Sequence, residues 1–177
     1  SSPDAEGTFT FEQVRRVLDE ANKIGSIEWI YFEGGEPFLY YPLLIEGIKL
    51  SRSYGFKVGV VTNSYFAANE EDAKIWLAPL RDLGVMDLSI SDDNFHNKGE
   101  TDSPAKIALK AARQLGINTA SIAIEEPKAI CATDRKKGEP VVGGDVMFKG
   151  RAVEKLTAGL PRRNWKEFDE CPYEDLV

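Results

Sequence analysis

Cysteine is scarce. The 177 residues hold two, Cys131 and Cys171, forty positions apart. In a chain whose first residues, SSPDAEGT, are too polar for a secretory signal, such a pair makes no disulfide framework, and two thiols cannot by themselves complete a four-ligand zinc or iron–sulfur site. Histidine is scarcer still, with His96 alone. Basic charge is short as well: 22 Lys and Arg stand against 29 Asp and Glu, a formal charge of -7. The basic clusters are the short 135–137 run and the pair Arg162, Arg163. That balance argues against a nucleic-acid or anionic-membrane surface. No apolar run approaches the roughly eighteen residues that a membrane helix needs, so a cytoplasmic protein is expected.

What is present is a repeat. Gly25, Gly55, Gly84 and Gly116, spaced by 30, 29 and 32, each close an amphipathic stretch and precede a strand-like run. TFEQVRRVLDEANKIG carries a capping box on Thr10 and Gln13 and leads into SIEWIYFE. YPLLIEGIKLSRSYG has Pro42 in its first turn and leads into FKVGVVTN. NEEDAKIWLAPLRDLG is capped by Asn69, should kink or split at Pro79, and leads into VMDLSISDD. SPAKIALKAARQLG is capped by Ser103 and leads into INTASIAIEEP. A loop over 127–140 and a further strand over 141–148 complete the pattern.

Strands and helices alternating at about thirty residues predict βα units and a parallel sheet. Asp87, Ser89 and Ser91 share one parity while Met86, Leu88 and Ile90 share the other, and Ser121 and Glu125 oppose Ile122 and Ile124. One polar or small face suits a barrel whose lumen holds a ligand; a sheet buried on both faces reads as more continuously apolar. The expected fold is a partial parallel α/β barrel over residues 1–156, followed at 157–177 by the start of a truncated C-terminal extension.

In such barrels the functional groups gather where the strands end. Those ends carry residues 33–36, then Thr62, Asn63 and Ser64, then Ser91, Asp92 and Asp93, then Glu125 and Glu126, then Lys149 and Arg151. The first is EGGEP. Two glycines let backbone approach a ligand closely, Pro37 fixes the exit, and Glu36 is a candidate acceptor for an ammonium group.

Residues 30–66, IYFEGGEPFLYYPLLIEGIKLSRSYGFKVGVVTNSYF, resemble the core of the radical S-adenosylmethionine enzymes. In that family a GGEP motif ends the second strand and T-N-G or a similar motif ends the third, here Thr62, Asn63, Ser64. ISDDNFH resembles an I-S-x-D-x-F-H version of the fourth strand end, on Ile90, Ser91, Asp93, Phe95 and His96, and MFKGRAVEKL is similar to an F-x-G-R-A segment, on Gly150, Arg151 and Ala152. The resemblance covers residues 8–156. It implies a partial (β/α)6 barrel lacking its first strand, with Gly34, Gly35, Glu36 and Pro37 on the methionyl amino group of S-adenosylmethionine. It also implies that Asn63, Ser89 and Ser91 lie near the ribose or carboxylate, Ala123 and Glu125 on the adenosine side, and Arg151 on the carboxylate.

The departure is chemical. The family's CxxxCxxC loop, which holds a [4Fe–4S] cluster, is not in this sequence and is expected upstream of Ser1. The resemblance thus implies the core of an enzyme that cleaves S-adenosylmethionine reductively to a 5′-deoxyadenosyl radical, with this chain alone inactive. An electron donor such as ferredoxin or flavodoxin and an unknown small-molecule or peptide substrate would be its partners. Two alternatives stay open: a cluster-free barrel that binds S-adenosylmethionine, a nucleotide or a protein, and an unrelated barrel hydrolase or lyase using Glu36, Asp93 and Glu125 as acid and base.

Overall fold

Thr10 opens the first helix, α1 (Phe11–Ile24), through the expected capping box: the Gln13 N–H donates to Thr10 Oγ1 at 3.3 Å and the Thr10 N–H to Gln13 Oε1 at 2.8 Å. The computed structural model describes residues 7–92, 103–124, 127–131, 140–143, 151–160 and 164. Asn69 and Ser103 cap α3 (Glu70–Asp82) and α4 (Pro104–Gln114) with their side chains. The second helix, α2 (Tyr41–Ser53), begins with Pro42 in its first turn, after a 3-10 turn at Pro37–Tyr40. Gly25, Gly55, Gly84 and Gly116 all have φ between 72 and 90, the left-handed conformation that ends a helix and turns the chain into the next strand. Pro79 does not split α3, because it lies in the last turn and removes a single backbone bond near the helix end.

Four parallel strands, β1 (Trp29–Phe32), β2 (Lys57–Thr62), β3 (Asp87–Ser91) and β4 (Thr119–Ile122), pair in chain order. Among the described residues this sheet is not closed, and it is consistent with part of a TIM-like barrel. The register places Tyr31, Gly59 and Asp87 in one row, and Val61, Ser89 and Ala120 in another. One parity is apolar and buried: Val58, Val60, Leu88 and Ile90 pack with Ile48, Leu77 and Leu80 of the helices into the main core. Each such side chain contributes about 1.5–3 kcal/mol by leaving water. The opposite parity carries Trp29, Tyr31, Asp87, Ser89 and Ser91, all partly accessible. In β4 the expected parity is inverted, since Ser121 pairs with buried Ile90 whereas Ile122 pairs with Ser91. Alternation is legible only where a strand contrasts polar with apolar, and TASI does not.

The chain divides into two compact units, residues 1–124 and 125–177. In the second, β5 (Lys128–Cys131) pairs antiparallel with β6 (Pro140–Gly143), and α5 (Arg151–Leu156) follows. The strand Lys128–Cys131 replaces part of the loop expected across 127–140; of the strand expected over 141–148, residues 141–143 are in a strand, though paired antiparallel instead of in the parallel sheet, and 132–139 and 144–148 lie outside the described residues. Cys131 therefore ends a strand instead of lying in a loop. Eight residues, 132–139, separate the two strands, too few for the crossover of a dozen or more that parallel pairing needs, so a hairpin results. Among the described residues, no helix is long and apolar enough to cross a membrane.

Glu70 ties α3 to α4. Its carboxylate meets Lys110 Nζ at 2.5 Å and Lys74 Nζ at 2.9 Å. Hydrogen bonds from Lys110, then Lys74 and Gln114, hold its pKa down, at about 2. A carboxyl lowered on folding adds stability above its unfolded pKa and loses it as pH falls toward the folded value. Glu70→Gln is therefore expected to flatten the fall in urea stability between about pH 4.5 and pH 2 while leaving its pH dependence above 5 unchanged. An unchanged acid limb in the variant would contradict this assignment.

Candidate functional site

The GGEP turn is fixed from below by its own glutamate. Glu36, 8% exposed, caps the 3-10 turn by accepting the Phe38 N–H at Oε1 (3.1 Å). The same oxygen accepts Thr62 Oγ1–H at 2.8 Å, and Oε2 accepts the Asn63 N–H at 2.7 Å. One carboxylate thus joins the loop after β1 to the end of β2. Donors to both oxygens offset the cost of taking a charge out of water. The Glu36 side chain is occupied inside the protein, which leaves residues 33–35 as the exposed part of the turn. No heavy atom outside the immediate chain lies within 4 Å of where a Cβ on Gly34 or Gly35 would stand, and Gly34 has φ +99, a conformation that side chains with a Cβ rarely adopt. A cavity of about 430 Å³ opens there, lined by Thr8, Phe9, Gln13, Glu33, Gly34, Gly35, Glu36, Pro37 and Tyr40 among others.

An aromatic cluster anchors the exit of the turn. Phe38, 1% exposed, stacks on Phe66 at 4.3 Å between centroids, and Tyr41 meets Trp76 edge-on at 4.9 Å while its hydroxyl donates to Trp76 O at 2.6 Å. The T-N-S turn is equally determined. Ser64 is buried at φ 55, its N–H donates to Thr62 Oγ1 at 3.0 Å and its hydroxyl to Asn63 O at 2.7 Å. A glycine would hold that conformation without the cost of roughly 1–2 kcal/mol that left-handed backbone imposes on an L side chain. Asn63 Oδ1 accepts the Tyr65 N–H at 3.1 Å.

Ser89 and Ser91 lie on the partly accessible face of β3. The Ser89 hydroxyl donates to Asp87 Oδ2 at 3.1 Å. Tyr31 shares its row with Asp87, and its ring lies across the backbone of Gly59 on the intervening strand. Partial desolvation first, then the Asp87 charge, raise the Tyr31 pKa, so the hydroxyl is a protonated donor at neutral pH. Sequence reasoning passed over Tyr31 and Gly59. The signal was there: a glycine inside a strand marks close approach of another group. Asp92 accepts from the Ser103 hydroxyl at 3.4 Å. Ala123 follows β4 and is exposed. Glu125, Asp93, Phe95, His96, Gly150 and Cys171 lie outside the described residues, and Arg151 opens α5 in the second unit. The structure therefore joins residues 34–37 with Thr62, Asn63 and Ser64, and it places Ser89 and Ser91 on the same sheet.

Glu36→Gln is expected to lower urea stability by about 1–3 kcal/mol, because either orientation of the amide sets an NH2 against a backbone N–H, of Phe38 or of Asn63. A variant as stable as the parent would contradict the buried clamp.

The family profile of the radical SAM superfamily matches residues 2–124. Among curated relatives, the Bacillus subtilis protein YydG, whose name assigns it provisionally to peptide biosynthesis, is 27% identical over 114 residues, 64% of this chain and 36% of that protein. The tungsten-containing aldehyde ferredoxin oxidoreductase cofactor-modifying protein of Pyrococcus furiosus is 28% identical over 134 residues, 69% of this chain and 36% of that protein. The chain spans about a third of the length of these relatives. With the profile covering well over half of the chain, on the unit that carries the GGEP clamp, this protein belongs to the radical SAM superfamily.

Proposed function

We propose that this chain is the S-adenosylmethionine-binding barrel of a radical enzyme, and that the backbone of residues 33–35 receives the methionyl amino group. The observation that carries the reading is the Glu36 clamp: it occupies the one acidic side chain of the GGEP turn and leaves a glycine backbone facing an open cavity. Peptide carbonyls held without side-chain cover are acceptors for an ammonium group. Asn63, Ser89, Ser91, Glu125 and Arg151 are proposed as the remaining contacts. Bound S-adenosylmethionine would supply a sulfonium whose one-electron reduction gives methionine and a 5′-deoxyadenosyl radical able to take a hydrogen atom from a substrate.

The iron–sulfur group does not fit the residues present. A [4Fe–4S] cluster of this type needs three thiolates, and the sequence offers two cysteines, one at the end of β5 in the second unit. Among the described residues, no three His, Cys, Asp or Glu side chains converge to hold a metal. The reading therefore assigns the thiolates to residues outside this sequence, and the electron to a donor such as ferredoxin or flavodoxin. The substrate class of the whole protein, small molecule or peptide, belongs to the same proposal.

Gly35→Ala separates binding from folding, because the added methyl meets no heavy atom within 4 Å yet stands where the ligand must approach. S-adenosylmethionine affinity, measured by anaerobic calorimetry on the full-length gene product, should fall at least tenfold with the melting temperature unchanged. Iron analysis of that protein should give about four irons per radical cluster. Unchanged affinity in Gly35→Ala would remove the backbone reading, and binding without iron would leave the cluster-free barrel in its place.

A further inference from the structure

The open face of the sheet carries Trp29, Tyr31 and Asp87, which the proposed cofactor contacts do not include. Tyr31 lies flat over β2: a Cβ on Gly59 would stand 2.2 Å from its Cε1, 2.5 Å from Cδ1 and 2.8 Å from Cζ, so only glycine permits the ring there. The ring thereby lies across β2, in the row that leads to Asp87 on β3. Ser89 donates to that carboxylate from two residues along. Trp29 extends the aromatic surface, stacked on Tyr31 at 5.6 Å and 21°. Trp29 is 38% and Tyr31 46% exposed, so both rings present accessible surface.

The charges on this face are unequal in their partners. Lys57, over Trp29 at 5.7 Å, is held by Glu28 at 2.8 Å. Asp87 receives the Ser89 hydroxyl and, among the described residues, no ion pair with a lysine or arginine. A carboxylate has about four acceptor positions, so one hydroxyl leaves capacity for further donors, and a carboxylate favours a cationic one. Aromatic faces beside a carboxylate add to the attraction for a cation. The Ser89 hydroxyl alone would be served by a neutral acceptor at position 87.

We infer that Trp29, Tyr31 and Asp87 form a recognition site for an ammonium or guanidinium group of the substrate. The inference rests on the proposed function for calling the occupant a substrate: Tyr31 lies on β1 three residues before the GGEP glycine Gly34, with Phe32 and Glu33 between them, so the site is beneath the proposed cofactor loop on the same strand. The occupant's chemistry follows from the charge alone.

The test uses N-acetyl-lysine N-methylamide and its neutral counterpart N-acetyl-norleucine N-methylamide, titrated into the full-length protein while the Trp29 indole resonance is followed by NMR. The lysine probe should bind at least tenfold more tightly than the norleucine probe, and Asp87→Asn, which keeps an acceptor for the Ser89 hydroxyl and so the position of that proposed cofactor contact, should erase the difference while S-adenosylmethionine affinity is unchanged. Equal binding of the two probes by the parent protein, or an undiminished preference in Asp87→Asn, would overturn the inference. Where Asp87→Asn fails to fold, the comparison of probes on the parent and Asp87→Glu, which should retain the preference, decides. Loss of S-adenosylmethionine binding in the parent protein would instead remove the proposed function, with the probe comparison still readable.

Discussion

A single buried carboxylate organises the carboxyl end of this sheet. Glu36 accepts from the Phe38 N–H, the Thr62 hydroxyl and the Asn63 N–H, so the loop after β1 and the end of β2 are one hydrogen-bonded unit. The arrangement has its own logic of charge. A carboxylate at 8% exposure is costly unless donors meet both oxygens, and each donor here is itself fixed, two by the backbone and one by the side chain of a strand residue. Phe38 buried against Phe66 holds the far side of the turn. What remains unconstrained by side chains is the backbone at Gly34 and Gly35, which is the part that a ligand can approach.

The two faces of the strands differ in character: one is packed into the core and the other is partly accessible. Val58, Val60, Leu88 and Ile90 join the helices in the core, where each loss of a methylene is felt through close packing. The opposite face keeps polar and aromatic groups in contact with solvent and covers neighbouring strands with side chains, as Tyr31 does over Gly59. A glycine in the middle of β2 weakens that strand locally; the compensation is a ring laid flat against its backbone.

Much of this was legible in the residues. The four glycines at thirty-residue intervals mark the helix ends because the left-handed turn they make is a local property, and Thr10, Asn69 and Ser103 cap their helices for equally local reasons. EGGEP marks the loop that the Glu36 clamp holds, but the clamp itself is not legible in the motif, since its partners Thr62 and Asn63 are 26 and 27 residues away and only the sheet brings them together. The same holds for Tyr31 and Gly59, whose meeting depends on register. In the second unit the hairpin of β5 and β6 escaped because four-residue apolar runs do not declare their direction; the short connection between them does.

The account turns on whether Glu36 couples the two loops. A double-mutant cycle of Glu36→Gln and Thr62→Val, measured by urea denaturation, tests that coupling directly. The account predicts an interaction energy of about 1–2 kcal/mol between the sites; additivity within about 0.5 kcal/mol would contradict it.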